Sequence, residues 1–333
     1  MDSTQNYSVF ASTPISELSG TTANWTKLPD PPQWKSMTSY YPSSQFDCAA
    51  TSDGKVFLFG NDVGFAQYDI QSAKWDDTPP KFTSTGVSMK NLLNQQGLRA
   101  TVDIDRTSIV IVSSSPPTFM RLNPQTKEIS GTSIYTITSG LRGFCLGIIQ
   151  KNPEKVILCG GSYYHQESSC YELVTQSTSV YTNSFNSLPS SQEGCSIVSH
   201  DAGYFVNQGL MSSNANAPSW TDNNSGSSSS VFYSVQNGLW TEYHNSLSNS
   251  YPLRGYSAAT YIPNMKMAVI YGGVLPGQNT SSEIYTLNLT DTISSYKGDS
   301  GSSSSSGFSL IGLLAKIFGS LFGIGVVLGI LKV

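Results

Sequence analysis

Five side chains recur at the head of successive apolar strands and carry the most legible chemistry of the chain: Gln45, Arg99, Arg142, Gln192 and Arg254. Three of them are guanidiniums in a chain whose formal net charge is −4. A guanidinium presents its N–H groups in a planar fork that matches both oxygens of a carboxylate, so such a set suits an acidic ligand. The same donors also suit the backbone carbonyls of a neighbouring strand, and each arginine therefore has a structural reading beside the recognition reading. Aromatic residues accompany them: Tyr163 and Tyr164 follow a diglycine, and Trp220 sits in a polar stretch from Leu210 to Ser230. Rings beside Ser and Asn suit peptides and sugars alike.

Other chemistry is sparse. The only histidines, His165, His200 and His244, fall in different contexts and predict no shared metal site. No CxxC pair suggests zinc. A G-x-S-x-G elbow, a phosphate-binding loop and an HExxH helix are all missing from the sequence. Nothing selects a catalytic pair from the 22 acidic residues. Without a basic cluster, nucleic acid is not an expected partner. The expectation is a non-catalytic binding protein with no cofactor and no metal.

The elements that would position these residues are strands. From Arg254 to Leu289 three follow in succession: Tyr256 to Tyr261, then Met267 to Tyr271 ending at Gly272-Gly273, then Glu283 to Leu289. Adjacent glycines at a strand end let the backbone turn without Cβ clashes. The unit recurs at Arg142 to Cys145, Val156 to Gly161 and Cys170 to Leu173. The spacing from arginine to first glycine is the same for Arg142 and Gly160 as for Arg254 and Gly272. Weaker copies run from Gln45 to Gly60, Arg99 to Ser113-Ser114, and Gln192 to Gly209. Strand ends near residues 60, 114, 161, 209 and 273 give a period of about 50, which signals a propeller array. An aromatic on the third strand is followed by one on the fourth, as in Tyr68 and Trp75, Tyr233 and Trp240, and more loosely Tyr171 and Tyr181.

This pattern resembles the kelch repeat: an arginine-led strand, a strand ending in Gly-Gly, then a Tyr and a Trp. The resemblance covers about residues 20 to 290. It implies an all-β propeller of five, or in a larger ring six, four-stranded blades spanning residues 1–293. Diglycines are intact at Gly160-Gly161 and Gly272-Gly273, and degenerate at Gly60-Asn61, Ser113-Ser114 and Gln208-Gly209. Kelch propellers are often closed by their ends, which predicts that Asn24 to Leu28 pairs with Glu283 to Leu289. The resemblance also places the five leading residues in a ring on one channel face, with the loops after the diglycines beside them. In kelch adaptors arginines at this position grip acidic peptide motifs. Copper-radical oxidases resembling galactose oxidase share the fold, but their two histidines, two tyrosines and cysteine are not matched here. An enzyme of that class, or a cytosolic tail-anchored adaptor, is the alternative to a binding module for protein or glycan.

Composition narrows the setting. Charged residues are 12% of the chain, and Ser, Thr and Asn are abundant, which suits an extracellular or lumenal surface. The first residues lack the basic and apolar regions of a signal peptide. Sequons at Asn6, Asn24, Asn223, Asn279 and Asn288 are no more than such a composition yields by chance. Of the five cysteines, Cys48, Cys145 and Cys195 each fall three residues after a leading residue and read as small buried hydrophobes. Cys145 with Cys159, or Cys159 with Cys170, are the candidate disulfide pairs.

After Ser294 the character changes. Residues 294–307 form a Ser/Gly-rich linker, and residues 308–333 are apolar apart from Lys316 and Lys332. As a helix, Phe308 to Leu331 would run about 36 Å at about 1.5 Å per residue, enough to span a hydrocarbon core. A cleaved lipid-anchor signal and a peripheral amphipathic helix are the alternative readings. Gly319 and Gly323 form a GxxxG pattern that would permit helix self-association. The resulting expectation is a propeller held at a membrane, facing the cell exterior or the secretory lumen.

Overall fold

The computed structural model describes residues 11–14, 26–29, 46–60, 64–89, 92, 97–103, 107–135, 137, 139–151, 154–163, 167–176, 179–189, 191–200, 203–207, 231–234, 239–242, 255, 257–262, 266–271, 284–288 and 325–327. Two short strands come first, β1 (Ala11–Pro14) and β2 (Thr26–Lys27). A four-stranded antiparallel sheet follows, made of β3 (Phe46–Ala50), β4 (Lys55–Gly60), β5 (Gly64–Asp69) and β6 (Lys74–Asp76) in that order. The second sheet contains β8 (Leu98–Val102), β9 (Ile109–Ser114), β10 (Pro117–Asn123) and β11 (Glu128–Ser133). Its outer edge carries an extra parallel strand, β7 (Lys81–Phe82), so this sheet has five strands.

The third sheet is β12 (Cys145–Lys151), β13 (Glu154–Cys159), β14 (Cys170–Gln176) and β15 (Ser179–Phe185). The fourth is β16 (Ser196–His200), β17 (Gly203–Asn207), β18 (Val231–Ser234) and β19 (Leu239–Glu242). A fifth holds three strands, β20 (Ala258–Ile262), β21 (Met267–Tyr271) and β22 (Ile284–Asn288). The first strands lie side by side in chain order, β3 beside β8, β8 beside β12, β12 beside β16 and β16 beside β20. Successive meanders stacked this way form a propeller-type arrangement.

The core lies between sheets, because each second strand is apolar on both faces. Ile109, Val110, Ile111 and Val112 are all fully buried. Ile109 and Ile111 pack with Phe57 and Phe65 of the first sheet, whereas Val110 and Val112 pack with Phe144, Leu146 and Leu158 of the third. A strand read as a continuous apolar run therefore serves two interfaces at once. On the outer strands Tyr68 faces Trp75 in register with ring centroids 5.0 Å apart, and Tyr233 is the register partner of Trp240. Tyr171 and Tyr181 are not register partners; they face Ser184 and Val174.

Two expectations about the chain ends are corrected. Thr26–Lys27 does not pair with Ile284–Asn288 but with Ala11–Pro14, through Ser12 to Thr26 and Ala11 to Lys27. Leu28 then packs on Val56 and Tyr68 of the first sheet, and the Trp75 indole N–H donates to the Pro29 carbonyl at 2.7 Å. A pairing across a short loop costs less chain entropy than one across most of the molecule. In the apolar tail, Gly325–Val327 is a strand, β23, antiparallel to β1, where a continuous spanning helix was expected. Adjacent β-branched Val326 and Val327 favour an extended backbone. Among the described residues no helix is long and apolar enough to cross a membrane. The rest of the tail, with Gly319 and Gly323, lies outside the described residues.

Candidate functional site

Glycine chemistry sets the geometry at the end of β13. Gly160 and Gly161 have φ of 65° and 101°, which L side chains rarely adopt. A Cβ on Gly161 would sit 2.8 Å from the Arg142 carbonyl oxygen, and one on Gly160 the same distance from that of Gln192. The chain can thus fold back tightly over two leading residues at once. Arg142 and Ser162 exchange two backbone hydrogen bonds of 2.8 Å, and the Gly161 N–H donates to the Gln192 carbonyl at 2.7 Å. At the degenerate second sheet Ser113 and Ser114 are accommodated, because the close approach is made by Gly97 instead. A Cβ there would lie 2.0 Å from the Leu141 carbonyl oxygen, which the Ser114 hydroxyl also bonds at 2.6 Å.

Beyond the diglycine turn, Ser162 bonds Arg142 and Tyr163 points outward. Tyr163 is 45% exposed, and its ring lies against Gly140, whose missing Cβ would stand 3.1 Å from Cε2. Gly140 belongs to the connection from β11 to β12, which also carries Tyr135, 92% exposed. Arg142, half-buried, ends that connection. Among the described residues its guanidinium meets no hydrogen-bond or ion-pair partner; the bonds it makes are those of its backbone. The backbone bridge to Ser162 thus sets Arg142, whose guanidinium has no partner among the described residues, on the segment next to Tyr163, and Tyr135 projects nearby in sequence.

The other leading residues are placed differently. Arg99 lies inside β8, opposite Val112, and its Nε–H donates to the Phe144 carbonyl in the third sheet at 2.9 Å. Gln192 is fully buried; its N–H donates to the Glu167 carbonyl at 3.0 Å. Gln45, Arg254, Tyr164, Trp220, Gly209, Gly272 and Gly273 lie outside the described residues. Gly60 closes β4 opposite Phe46, with φ of 145°. The structure thus bonds the Arg142 backbone to Ser162, one residue before Tyr163, and gives Arg99 a carbonyl partner between sheets.

One residue of this region escaped sequence reading. Asp47, two positions after Gln45, accepts the Cys48 N–H at 2.8 Å and the Ala100 N–H of the second sheet at 2.7 Å. Burial raises its carboxyl above the usual range, against the lowering effects of the Arg99 charge and those two N–H donors. Burial, and secondarily the Asp47 charge, pushes the Cys48 thiol up to about 12, so it stays a thiol at neutral pH. No sequence signal distinguishes Asp47 from other acids, because its partner sits in another sheet. Among the described residues no group of three or more His, Cys, Asp or Glu side chains could hold a metal ion.

The four remaining cysteines pair as Cys145 with Cys195 and Cys159 with Cys170. The second is one of the two pairings anticipated. The first joins equivalent positions of consecutive sheets, 50 residues apart, instead of crossing the β12–β13 hairpin.

Neither a protein-family profile nor any curated protein matches the chain. Among solved structures, that of YjhT, a kelch-type propeller-like structure, superposes with a TM-score of 0.55. The match covers 82% of this chain and 87% of that one at 12% identity. The fold is of the β-propeller type. At such identity the likeness concerns architecture alone, so the propeller's site must be judged from its own residues.

Proposed function

We propose that this propeller is a kelch-type recognition module that binds a carboxylate-bearing protein or glycan ligand on the face holding Arg142 and Tyr163. The observation that carries this reading is that Arg142, intermediate in exposure, has no side-chain partner for its guanidinium among the described residues. A guanidinium not engaged by another side chain keeps its planar donor fork available to a carboxylate. Tyr163, held against Gly140 and one residue beyond the Ser162 that bonds Arg142, offers a ring face for an apolar or sugar moiety. In this reading the arrangement binds and orients a ligand without catalysing its reaction.

The finer architecture belongs to the same proposal. In this reading the five meander sheets are blades, and the β2-β1-β23 sheet, which joins early and late segments of the sequence, would complete the ring. Two disulfides in a 333-residue chain favour an oxidising compartment, hence the secretory lumen or the cell exterior. The apolar residues that precede β23 in the run 308–333 support attachment at a membrane, which detergent-phase partitioning of the full chain tests.

An array of acidic peptides and of glycans with and without carboxylates tests the recognition reading. Binding confined to carboxylate-bearing members, and lost in Arg142→Ala, is the expected result. Binding that ignores the carboxylate, or that survives the substitution, would overturn it.

A further inference from the structure

The cysteines of the third and fourth sheets are arranged in a way that two static disulfides do not require. Cys145, Cys159 and Cys170 occupy one row across β12, β13 and β14, each directly opposite the next. Residues opposite one another on adjacent antiparallel strands project from the same face of the sheet. Cys159 therefore has a cysteine on either side, bonded to Cys170 and unbonded to Cys145. Cys195 closes the group from the fourth sheet, its Sγ 3.8 Å from the Cys159 carbonyl oxygen. All four are buried in one cluster with Ile157, Leu188 and Val206.

The group also sits under the candidate site. Cys145 follows Arg142 by three residues, and Cys195 follows Gln192 by three. Between them the Gly194 N–H donates to the Gly143 carbonyl at 2.6 Å, so the Cys145–Cys195 bond and this hydrogen bond clamp the two leading segments together.

We propose that these cysteines form a redox-controlled latch on the Arg142 site, resting on the recognition reading above. A dithiol reductant first cleaves Cys145–Cys195: its two thiols become a disulfide, and Cys145 and Cys195 each receive one electron and one proton. The Cys145 thiol then loses its proton, and the thiolate attacks the Cys159 sulfur. A Cys145–Cys159 bond forms, the Cys159–Cys170 bond breaks, and Cys170 leaves as a thiolate that takes up a proton. The product holds one disulfide inside the third sheet and thiols at Cys170 and Cys195. The covalent tie between sheets is gone, and backbone hydrogen bonds such as those from Gly194 to Gly143 and Gly161 to Gln192 are left to hold the two segments. Once that bond is open, Cys145 faces Cys159 directly, so exchange within the row is intramolecular and outruns a second external reduction.

Limited reduction of the full chain with dithiothreitol, quenched by alkylation and read by peptide mapping, tests the exchange. The expected product links Cys145 to Cys159, with Cys170 and Cys195 alkylated. Cys195→Ser, which leaves Cys145 a permanent thiol, should show Cys145–Cys159 and Cys159–Cys170 linkages together. If Cys159–Cys170 is the only linkage found after limited reduction, the latch is overturned whether or not the variant folds. Hydrogen exchange reads the effect on the site without any ligand: the Arg142 and Ser162 amides should exchange at least tenfold faster in the rearranged form. Unchanged protection would overturn control of the site. Failure of the peptide and glycan array with the oxidised protein would count against the recognition reading alone, since neither the mapping nor the exchange measurement involves ligand.

Discussion

Two arginines that look alike in sequence do different work. The Arg99 Nε–H bonds the Phe144 carbonyl, whereas Arg142 keeps its guanidinium free among the described residues. Arg99→Ala leaves a carbonyl unpaired between sheets and should lower stability by about 1–3 kcal/mol. Arg142→Ala should leave the melting temperature nearly unchanged while reducing capture of a carboxylate ligand about ten- to a hundredfold, the worth of one charge-assisted hydrogen bond. Thermal melts beside array binding separate the two, and equal losses of stability would show that both only cap backbone.

Asp47 and Asp76 should tilt stability with pH in opposite senses. Burial raises the Asp47 carboxyl above its ordinary 3.8, so the folded state holds that proton more tightly than the unfolded chain. Its contribution is present below the unfolded value and is lost as pH rises through the folded one. The Lys127 ammonium, helped by Thr78, lowers Asp76 to about 2, so that contribution is present above 3.8 and lost as pH falls towards 2. Melting temperatures of wild type minus Asp47→Asn should therefore fall with rising pH above about 4. Wild type minus Asp76→Asn should fall on acidification over about pH 4 to 2. Parallel slopes would contradict the assignment.

At the scale of elements, the diglycine is a close-approach device more than a flexible turn. Gly161→Ala places a Cβ at φ of 101° and 2.8 Å from the Arg142 carbonyl. It should cost more than about 1–2 kcal/mol, the usual penalty of a left-handed backbone, because the clash adds to it. Gly97→Ala should be at least as damaging, with its Cβ 2.0 Å from the Leu141 carbonyl oxygen. Replacing Ser114 with Gly, by contrast, removes a hydroxyl that bonds Leu141 and restores no needed space. Denaturant midpoints of the three variants check the order. The second sheet, which lacks its diglycine, thus keeps its seam through a glycine at the head of the strand.

For the whole molecule, both chain ends meet in one small sheet. Strand β1 lies between β2 and β23, so removing residues 308–333 strips β1 of one neighbour. The truncated chain should melt at a lower temperature than the full one, with far-UV spectra of both still dominated by strand. An unchanged melting temperature would show that β23 adds nothing to the propeller. The tie between third and fourth sheets adds a second constraint on ring integrity: a bond closing a 50-residue separation stabilises by about 3–4 kcal/mol in the chain-entropy account.

The propeller class was legible in sequence because its signal is periodic. Apolar runs ending near residues 60, 114, 161 and 209 are local features, and their recurrence declares stacked meanders before any contact is known. The aromatic pairs Tyr68 with Trp75 and Tyr233 with Trp240 were readable for the same reason: a short hairpin fixes which residues face one another. What joins one sheet to the next was not readable. Asp47 finds the Ala100 N–H, Arg99 finds the Phe144 carbonyl, and Cys145 chooses Cys195 over the Cys159 that faces it. These choices depend on how far apart two twisted sheets stand and at what height their strands cross. No spacing within one repeat encodes that distance, and so the sequence determined the blades while the packing between them decided which polar side chains are spent on structure and which are left for a ligand.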